Sequence, residues 1–402
     1  MVKLFEQTAV RYDCEPFVAR VTRDVNRRPV EREPEVLVVC SEEFAANLVK
    51  ESGACLLIAE RESDVRIAAD RPLFFPLSAE MAHLGEGDIV YLNPPRGTIS
   101  VLYRRRSSHN TIIATERCNC RCIMCPQPPC GGDDSNGDNC DWINVCLDAI
   151  RLMSRETAAL GISGGEPTMV PEGLLRIIRT CGECLPQTAV QVLTNGRMFN
   201  YLGFAREMAT LDHHDLIFGV PVYSDLAHEH DRMVGARGAF DETIRGIMNL
   251  RRCGQRVEIR VVMMRPNFER LADLARFITR NLPFAEHVAL MGMEPMGLAR
   301  RNFERLWVDP ADYQTQLAAA VGELRRHGIA VSIFNEQLCV LDPLLREVAA
   351  RSISDWKNVY TDECQDCAKR NECGGFFESS RELHSRAIRG FRARPGLSVF
   401  FR

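Results

Sequence analysis

The 402-residue chain lacks any run of about eighteen uninterrupted apolar residues, which is the length a membrane-spanning helix requires. Its first residues, MVKLFEQTAVRYDCEP, are charged and lack the apolar core of a signal peptide. Neither secretion nor membrane insertion is expected, and the cytoplasm is the expected location. The chain also lacks a dominant charge of one sign. A formal net charge of −4 with 26% charged residues offers no broad basic field, so neither nucleic acid nor a membrane is expected as a partner. No internal repeat is evident, and a chain this long is expected to hold a large catalytic core with one or two smaller modules.

What the chain does have is cysteine, 17 residues of it, clustered rather than scattered. In a reducing compartment that clustering points to metal ligation rather than a disulfide framework. The stretch TERCNCRCIMCPQPP, residues 115–129, places Cys118, Cys122 and Cys125 at CxxxCxxC spacing with Cys120 between them. Three thiolates in one loop suit a soft metal centre, either an iron-sulfur cluster or zinc. A closed zinc site needs a fourth ligand, for which Cys120, Cys130, Cys140 and His109 are available.

Residues 1–106 alternate strand-like runs (EVLVVC, CLLIAE, DIVYLN, TISVLYR) with one helical stretch, SEEFAANLVKES, as a small α/β module would. No catalytic motif occurs in it, and generic support of folding is a simpler role than binding of a leader peptide. The basic YRRRSSHN at 103–110 reads as a solvated connector. From residue 107 to 332, six apolar runs rich in Val, Ile and Leu each precede a helical pattern, predicting a parallel sheet in either a doubly wound or a partial-barrel arrangement. In both, the C-terminal ends of the strands build the active site. The aperiodic PQPPCGGDDSNGDN at 126–139 must be a loop. Residues 333–402 form a short cysteine-bearing module and a tail, with Cys364, Cys367 and Cys373 at CxxCx5C spacing and Cys339 upstream. Four thiols with little apolar mass are a metal staple, and zinc and an auxiliary cluster both fit the ligand type.

CxxxCxxC at the end of the first strand of this region, followed after the second strand by ISGGEPT, resembles the radical SAM superfamily. The resemblance implies an α/β fold with a partial (β/α)6 barrel. It also implies a [4Fe-4S] cluster on Cys118, Cys122 and Cys125, whose open iron takes the amino and carboxylate groups of S-adenosylmethionine (SAM). Gly164, Gly165, Glu166 and Pro167 correspond to the GGEP motif beside the methionine moiety, where glycines let backbone pass close and a polar oxygen accepts from the ammonium. Asn195 in LTNG and Arg260 in VEIRVV fall at cofactor-side positions, and Gly292 and Glu294 in MGMEPMG resemble the adenine-side segment. Pro221 and Tyr223 depart from the SxDG pattern of peptide-modifying relatives. His228 and His230 read as a loop cap rather than as ligands, Cys120 as a bystander, and Cys181 with Cys184 as packing.

The second cysteine group resembles the auxiliary-cluster module called twitch, the shortened form of the SPASM module, implying one auxiliary [4Fe-4S] cluster held by Cys339, Cys364, Cys367 and Cys373. CNCRCIMCPQPP, GISGGEPT, SDWKN at 354–358 and CAKRNECGGFF at 367–377 together resemble the His-Xaa-Ser system maturases of the HxsC type. That implies a precursor peptide with His-Xaa-Ser repeats as substrate. It also implies a sibling radical SAM maturase and a small accessory protein as partners, and a flavodoxin or ferredoxin as reductant. The competing expectations are a radical SAM enzyme acting on a small molecule or nucleobase precursor, and a non-enzymatic zinc-binding interaction protein.

Overall fold

A computed structural model of the chain describes residues 5–7, 15–22, 35–39, 56–59, 73–76, 81, 83–129, 139–211, 213–351 and 358–392. The helix read from SEEFAANLVKES, the thiols of Cys130 and Cys140, residues 354–357 of SDWKN and the tail from 393 lie outside the described residues. Two compact units make up the chain. The first comprises Met1–Thr115, Gly132–Gln191 and Leu211–Leu216, and the second comprises Glu116–Gly131, Val192–Thr210 and Ile217–Arg402.

In the first unit, the apolar runs of the N-terminal region form a mixed sheet. It contains β1 (Phe5–Gln7), β2 (Phe17–Thr22), β3 (Glu35–Val39), β4 (Leu56–Ala59), β5 (Leu73–Pro76), β6 (Ile89–Asn93) and β7 (Thr98–Tyr103), in the order β1-β7-β6-β2-β3-β4-β5. A tight turn joins β6 to β7: the Asn93 side chain accepts from the Arg96 amide at 3.1 Å and Gly97 takes φ +61, a conformation glycine adopts without steric cost. The core under β2, β6 and β7 is Ala19, Val21, Met81, Leu84, Val90, Leu92 and Ile99. This sheet is fastened to α1 (Asn139–Leu152), since Arg20 donates to the Leu152 carbonyl at 2.9 Å and the Tyr91 and Trp142 rings meet edge to face. YRRRSSHN closes on itself, with Arg104 N donating to the Asn110 side chain at 2.8 Å and that side chain donating back to the Arg104 carbonyl.

The second sheet is parallel and has seven strands. They are β8 (Asn110–Thr115), β9 (Ala159–Gly164), β10 (Ala189–Leu193), β11 (Leu216–Pro221), β12 (Arg256–Met263), β13 (His287–Gly292) and β14 (Ala330–Phe334), and their spatial order follows the chain. A sequential order without reversal excludes the doubly wound arrangement and agrees with the singly wound path of a barrel-type sheet. The sequence pattern yields six strands; the seventh, Ala330–Phe334, pairs with β13 from Ala330 opposite His287 to Phe334 opposite Met291. Its alternating AVSIF pattern is half-buried and edge-like, which is why it reads as part of the following module.

The strands are connected by helices α2 (Pro171–Cys184), α3 (Leu202–Ala209), α4 (Ala227–Val234), α5 (Ala239–Arg252), α6 (Leu271–Asn281), the short α7 (Gly297–Arg301) and α8 (Phe303–Leu306), and α9 (Gln314–Arg326). On β12 the two faces differ. Val257, Ile259, Val261 and Met263 are almost wholly buried, whereas the opposite face carries Glu258 and Arg260. No helix among the described residues is long and apolar enough to cross a membrane.

Two glycines in helices test the packing of the second unit. A Cβ at Gly246 on α5 would lie 2.1 Å from the Gly196 carbonyl oxygen, whereas one at Gly203 on α3 meets nothing within 4 Å. Gly203→Ala is expected to stabilise the protein by about 0.5–1 kcal/mol through helix propensity. Gly246→Ala is expected to destabilise it by at least 1–3 kcal/mol, roughly the cost of overpacking. Urea midpoints moving in the same direction for both would contradict this packing.

Candidate active site

The cysteine loop lies in the second unit and has no helix or strand of its own between residues 116 and 129. It is held by neighbours on three sides. The C-terminal end of α4 takes the Arg121 amide on the Val234 carbonyl and the Ile123 amide on the Met233 carbonyl, both at 2.9 Å. There Gly235, at φ +65, lets the loop come so close that a Cβ would sit 2.6 Å from the Arg121 carbonyl oxygen. At the start of α7 the Leu298 amide donates to the Cys125 carbonyl at 2.8 Å, and Asn302 donates to the Ile123 carbonyl at 2.8 Å. Gly297, at φ +52, makes the same allowance, with the Cys125 carbonyl oxygen 2.6 Å from where a Cβ would be.

The third hold comes from Arg197, which the sequence reading missed, and from Asn195, which it placed on the cofactor side. Arg197 donates to the Asn119 carbonyl at 2.7 Å and to the Cys120 sulfur at 3.4 Å, while its Nε is paired with Glu242 at 2.6 Å. Asn195 donates to the Asn119 side chain at 2.6 Å and to the Cys120 sulfur at 3.5 Å, and accepts from the Arg197 amide. Cys120 is therefore a buried acceptor at the centre of the loop rather than a bystander. Its partners are polar groups just past LTNG, where a TNG turn gives no hint of what it faces.

Hydrogen bonds with Cys118 and Cys122, and then the Arg197 guanidinium, hold the Cys120 thiol far below the usual range. The bond to Cys120 and burial push Cys122 up, and burial also raises Cys125. The Cys118 sulfur receives the Cys120 amide at 3.4 Å. Thiols of this kind, close together and reached by amide and guanidinium donors, have the chemistry of an iron-sulfur ligand set.

GGEP lies in the first unit, at the end of β9. Gly164 takes φ +147 with the Thr115 carbonyl oxygen 2.2 Å from a built Cβ, and the Gly165 amide donates to that oxygen at 2.8 Å. Glu166 is buried and turned inward, accepting from the Thr168 amide at 3.0 Å and hydroxyl at 2.7 Å. It caps the short turn Pro167–Met169 that leads into α2. Thr168 thus engages Oε1 of Glu166, and Glu166 shapes the turn.

Arg260 faces Glu258 on its own strand, with Nη1 to Oε1 at 2.5 Å. The Glu258 carboxylate also binds His287 Nδ1 at 2.8 Å, whose Nε2 meets the Ser332 hydroxyl at 2.9 Å. Burial raises the Glu258 carboxyl, but His287 and Arg260 outweigh it and hold it below the usual carboxylate range. Gly219 makes room for this chain of groups, as its Cβ would lie 3.0 Å from Arg260 Cδ. Gly292 ends β13 against Asn335 and Glu336, and Glu294 accepts from Ser379 at 3.4 Å. His230 is buried, accepts from the Tyr223 amide at 3.2 Å, stacks on that ring, and is lowered to about 4 by burial, so it stays neutral. Cys181 is fully buried in α2.

The second cysteine group is gathered too. Cys339, Cys364, Cys367 and Cys373 line one pocket, together with Tyr360, Arg370 and Phe391. The Phe391 amide reaches the Cys367 sulfur at 3.3 Å and the Gly375 amide the Cys373 sulfur at 3.5 Å. Among the described residues no three His, Cys, Asp or Glu side chains converge as a single ion would require; the four thiols stand around the pocket walls.

Residues 112–278 match the Radical SAM superfamily. This stretch is a radical SAM domain. It contains Cys118, Cys122 and Cys125, GGEP, Asn195 and Arg260, and the family implies a [4Fe-4S] cluster and SAM. The chain is 26% identical over 204 residues to the GTP 3′,8-cyclase of Moorella thermoacetica, spanning 49% of this chain and 59% of that protein. It is 25% identical over 214 residues to the pyruvate formate-lyase-activating enzyme of Clostridium pasteurianum, spanning 50% of this chain and 80% of that one. Among solved structures, Streptococcus suis SuiB bound to S-adenosylmethionine is similar with a TM-score of 0.45 at 14% identity, covering 57% of this chain and 51% of SuiB.

The radical SAM domain thus has its cysteine loop fastened by α7, and Gly297→Ala should disturb that hold. The expected outcome is reduced iron after anaerobic reconstitution with an unchanged far-ultraviolet circular dichroism spectrum; full iron content would contradict it. A second expectation concerns Glu336, which accepts from the Tyr313 hydroxyl through Oε1 and has no partner for Oε2 among the described residues. Burial pushes its carboxyl up to about 8. A carboxyl that holds its proton more tightly when folded favours folding below its unfolded value, and that contribution is lost as pH rises through the folded value. Between pH of about 5 and 8, the thermal midpoint of the wild type should fall more steeply than that of Glu336→Gln; parallel slopes would disprove the assignment.

Proposed function

We propose that the chain is a radical SAM peptide maturase that modifies a ribosomally synthesised precursor carrying His-Xaa-Ser repeats. The observation that carries this reading beyond the radical SAM domain is the four-cysteine pocket. A module with four thiols, amide donors to two of them and a small apolar cluster of Val340, Phe376 and Ile388 beside them is suited to a second cluster. In this reading Cys118, Cys122 and Cys125 hold the radical SAM cluster and Cys339, Cys364, Cys367 and Cys373 the auxiliary one. A sibling maturase, a small accessory protein and a flavodoxin- or ferredoxin-type reductant act with it.

When bound, the first cluster supplies the electron that cleaves SAM to a 5′-deoxyadenosyl radical, which takes hydrogen from an unactivated carbon. The chain's own residues hold and orient. The carbonyls and glycines around the cysteine loop fix the thiol spacing, and Gly164 and Gly165 bring backbone close at the end of β9. Arg260, kept in place by Glu258 and with Nη2 against the Met291 sulfur at 3.2 Å, presents its guanidinium charge to an anionic group such as the SAM carboxylate. Gly374, Gly375, Phe376 and Phe377 with Asn335 and Met293 line a small cleft of about 20 Å³ beside the auxiliary module. The similarity to a GTP 3′,8-cyclase favours a nucleotide-type small molecule as the second reading.

Anaerobically reconstituted enzyme, incubated with SAM and either a His-Xaa-Ser precursor peptide or GTP, separates these readings by mass spectrometry. A mass change in the peptide supports the first, and a change in GTP alone overturns it. About eight irons per chain are expected from two four-iron clusters. Cys122→Ala should abolish 5′-deoxyadenosine formation. Cys367→Ala should retain uncoupled 5′-deoxyadenosine formation while ending peptide modification, and an unchanged peptide product would refute a required auxiliary cluster.

A further inference from the structure

A cluster held by three cysteines is useful only while its fourth iron stays open to SAM, and this loop carries a fourth thiol between the ligands. Cys118 and Cys122 both pack against Cys120, and the Cys120 amide lies 3.4 Å from the Cys118 sulfur. Ligation by Cys120 would put a sulfur–iron bond in place of the bonds from the amino and carboxylate groups of SAM, which would be displaced, with any proton on the sulfur going to solvent. Something has to keep that sulfur occupied.

We propose that Arg197 and Asn195 are positioning residues that sequester Cys120, so that the fourth iron stays open. Both donate to its sulfur, at 3.4 and 3.5 Å. Both also bind Asn119, through its carbonyl at 2.7 Å and its side chain at 2.6 Å, so the backbone beside Cys120 is fixed as well as the thiol. The donors are themselves anchored on α5: Glu242 holds Arg197 Nε at 2.6 Å, and the Thr243 hydroxyl donates to the Asn195 carbonyl at 2.9 Å. Val234 and Ala239 close the apolar side, leaving Cys120 4% exposed. The sulfur thus touches the Cys118 and Cys122 thiols on one side and is held on the others by two N–H donors and two aliphatic walls, so the donors are what restrain it. The inference rests on the reading that Cys118, Cys122 and Cys125 are the ligands.

The test uses electron paramagnetic resonance of the reduced, reconstituted enzyme with and without SAM. Wild type and Cys120→Ala should show a SAM-dependent change in the cluster signal. Arg197→Gln should load iron but lose that change, and the double variant Arg197→Gln with Cys120→Ala should regain it. A normal SAM response in Arg197→Gln, or no recovery in the double variant, overturns the proposal. Should Arg197→Gln fail to load a cluster, alkylation of the apo protein decides. Iodoacetamide labelling of Cys120, mapped by mass spectrometry, should be about tenfold faster in Arg197→Gln and in Asn195→Ala than in wild type, and equal rates overturn the proposal. A wild type without any SAM-dependent change would instead strike at the ligand reading, while the labelling still reports on the socket.

Discussion

A set of thiolate ligands is only as rigid as the backbone that carries it, and residues 116–129 carry theirs without a helix or strand. Their shape is imposed from outside by α4, α7 and the turn after β10, each of which supplies hydrogen bonds to the loop backbone. Each such bond contributes only about 1 kcal/mol net. Together they act on a segment of eight residues, and they are possible because Gly235 and Gly297 admit backbone where any side chain would collide. The ligand geometry is therefore a property of elements more than 70 residues away in sequence, such as Arg197 and Asn195 on Asn119.

The same economy governs the sheet. On β12 the buried face is wholly apolar, while the opposite face gathers Glu258, Arg260, His287 and Ser332 into one hydrogen-bonded chain. Burying an arginine requires a counter-charge, and a carboxylate shared between Arg260 and His287 provides it with both oxygens used. Gly219, opposite Glu258 on β11, leaves room for that arrangement, since a Cβ there would lie 3.0 Å from Arg260 Cδ. An arginine tied in this way, with Nη1 on Glu258 and Nη2 against the Met291 sulfur at 3.2 Å, holds its guanidinium in a defined direction, which a freely solvated one would not.

Much of this was legible in sequence. The parallel sheet followed from the apolar runs, because parallel strands bury at least one complete face and announce themselves by Val, Ile and Leu. The cysteine loop and GGEP were legible because their chemistry needs particular residues at fixed spacing, as were the four cysteines that share the second pocket. The strand Ala330–Phe334 was not assigned to the sheet, since an alternating five-residue strand looks the same wherever it pairs. That Glu166 would turn into its own loop was not legible, since a carboxylate two residues before a threonine amide finds a local partner only in the folded turn. Arg197 and Cys120 were missed for a related reason: nothing in NGR or CNC says that the two will meet.

The C-terminal module shows how apolar packing and polar ties divide the work. Beside the thiol pocket the apolar cluster is small, Val340, Phe376 and Ile388, at about 1.5–3 kcal/mol for each buried side chain. Polar ties attach it to the rest of the second unit without using any thiol. Asp309 accepts from the Ser385 hydroxyl at 2.5 Å and the Arg386 amide at 3.0 Å, and Gln337 donates to the Gly375 carbonyl at 3.0 Å. The thiols instead organise what lies between those ties: Cys339 follows β14, whereas Cys364, Cys367 and Cys373 belong to the loops around the two-strand pairing of Asn358–Val359 with Phe376–Phe377. Attachment and the thiol pocket are thus carried by different residues: the ties from Ser385 and Arg386 to Asp309 need no sulfur, whereas the loops between 360 and 373 bring three thiols to the pocket wall.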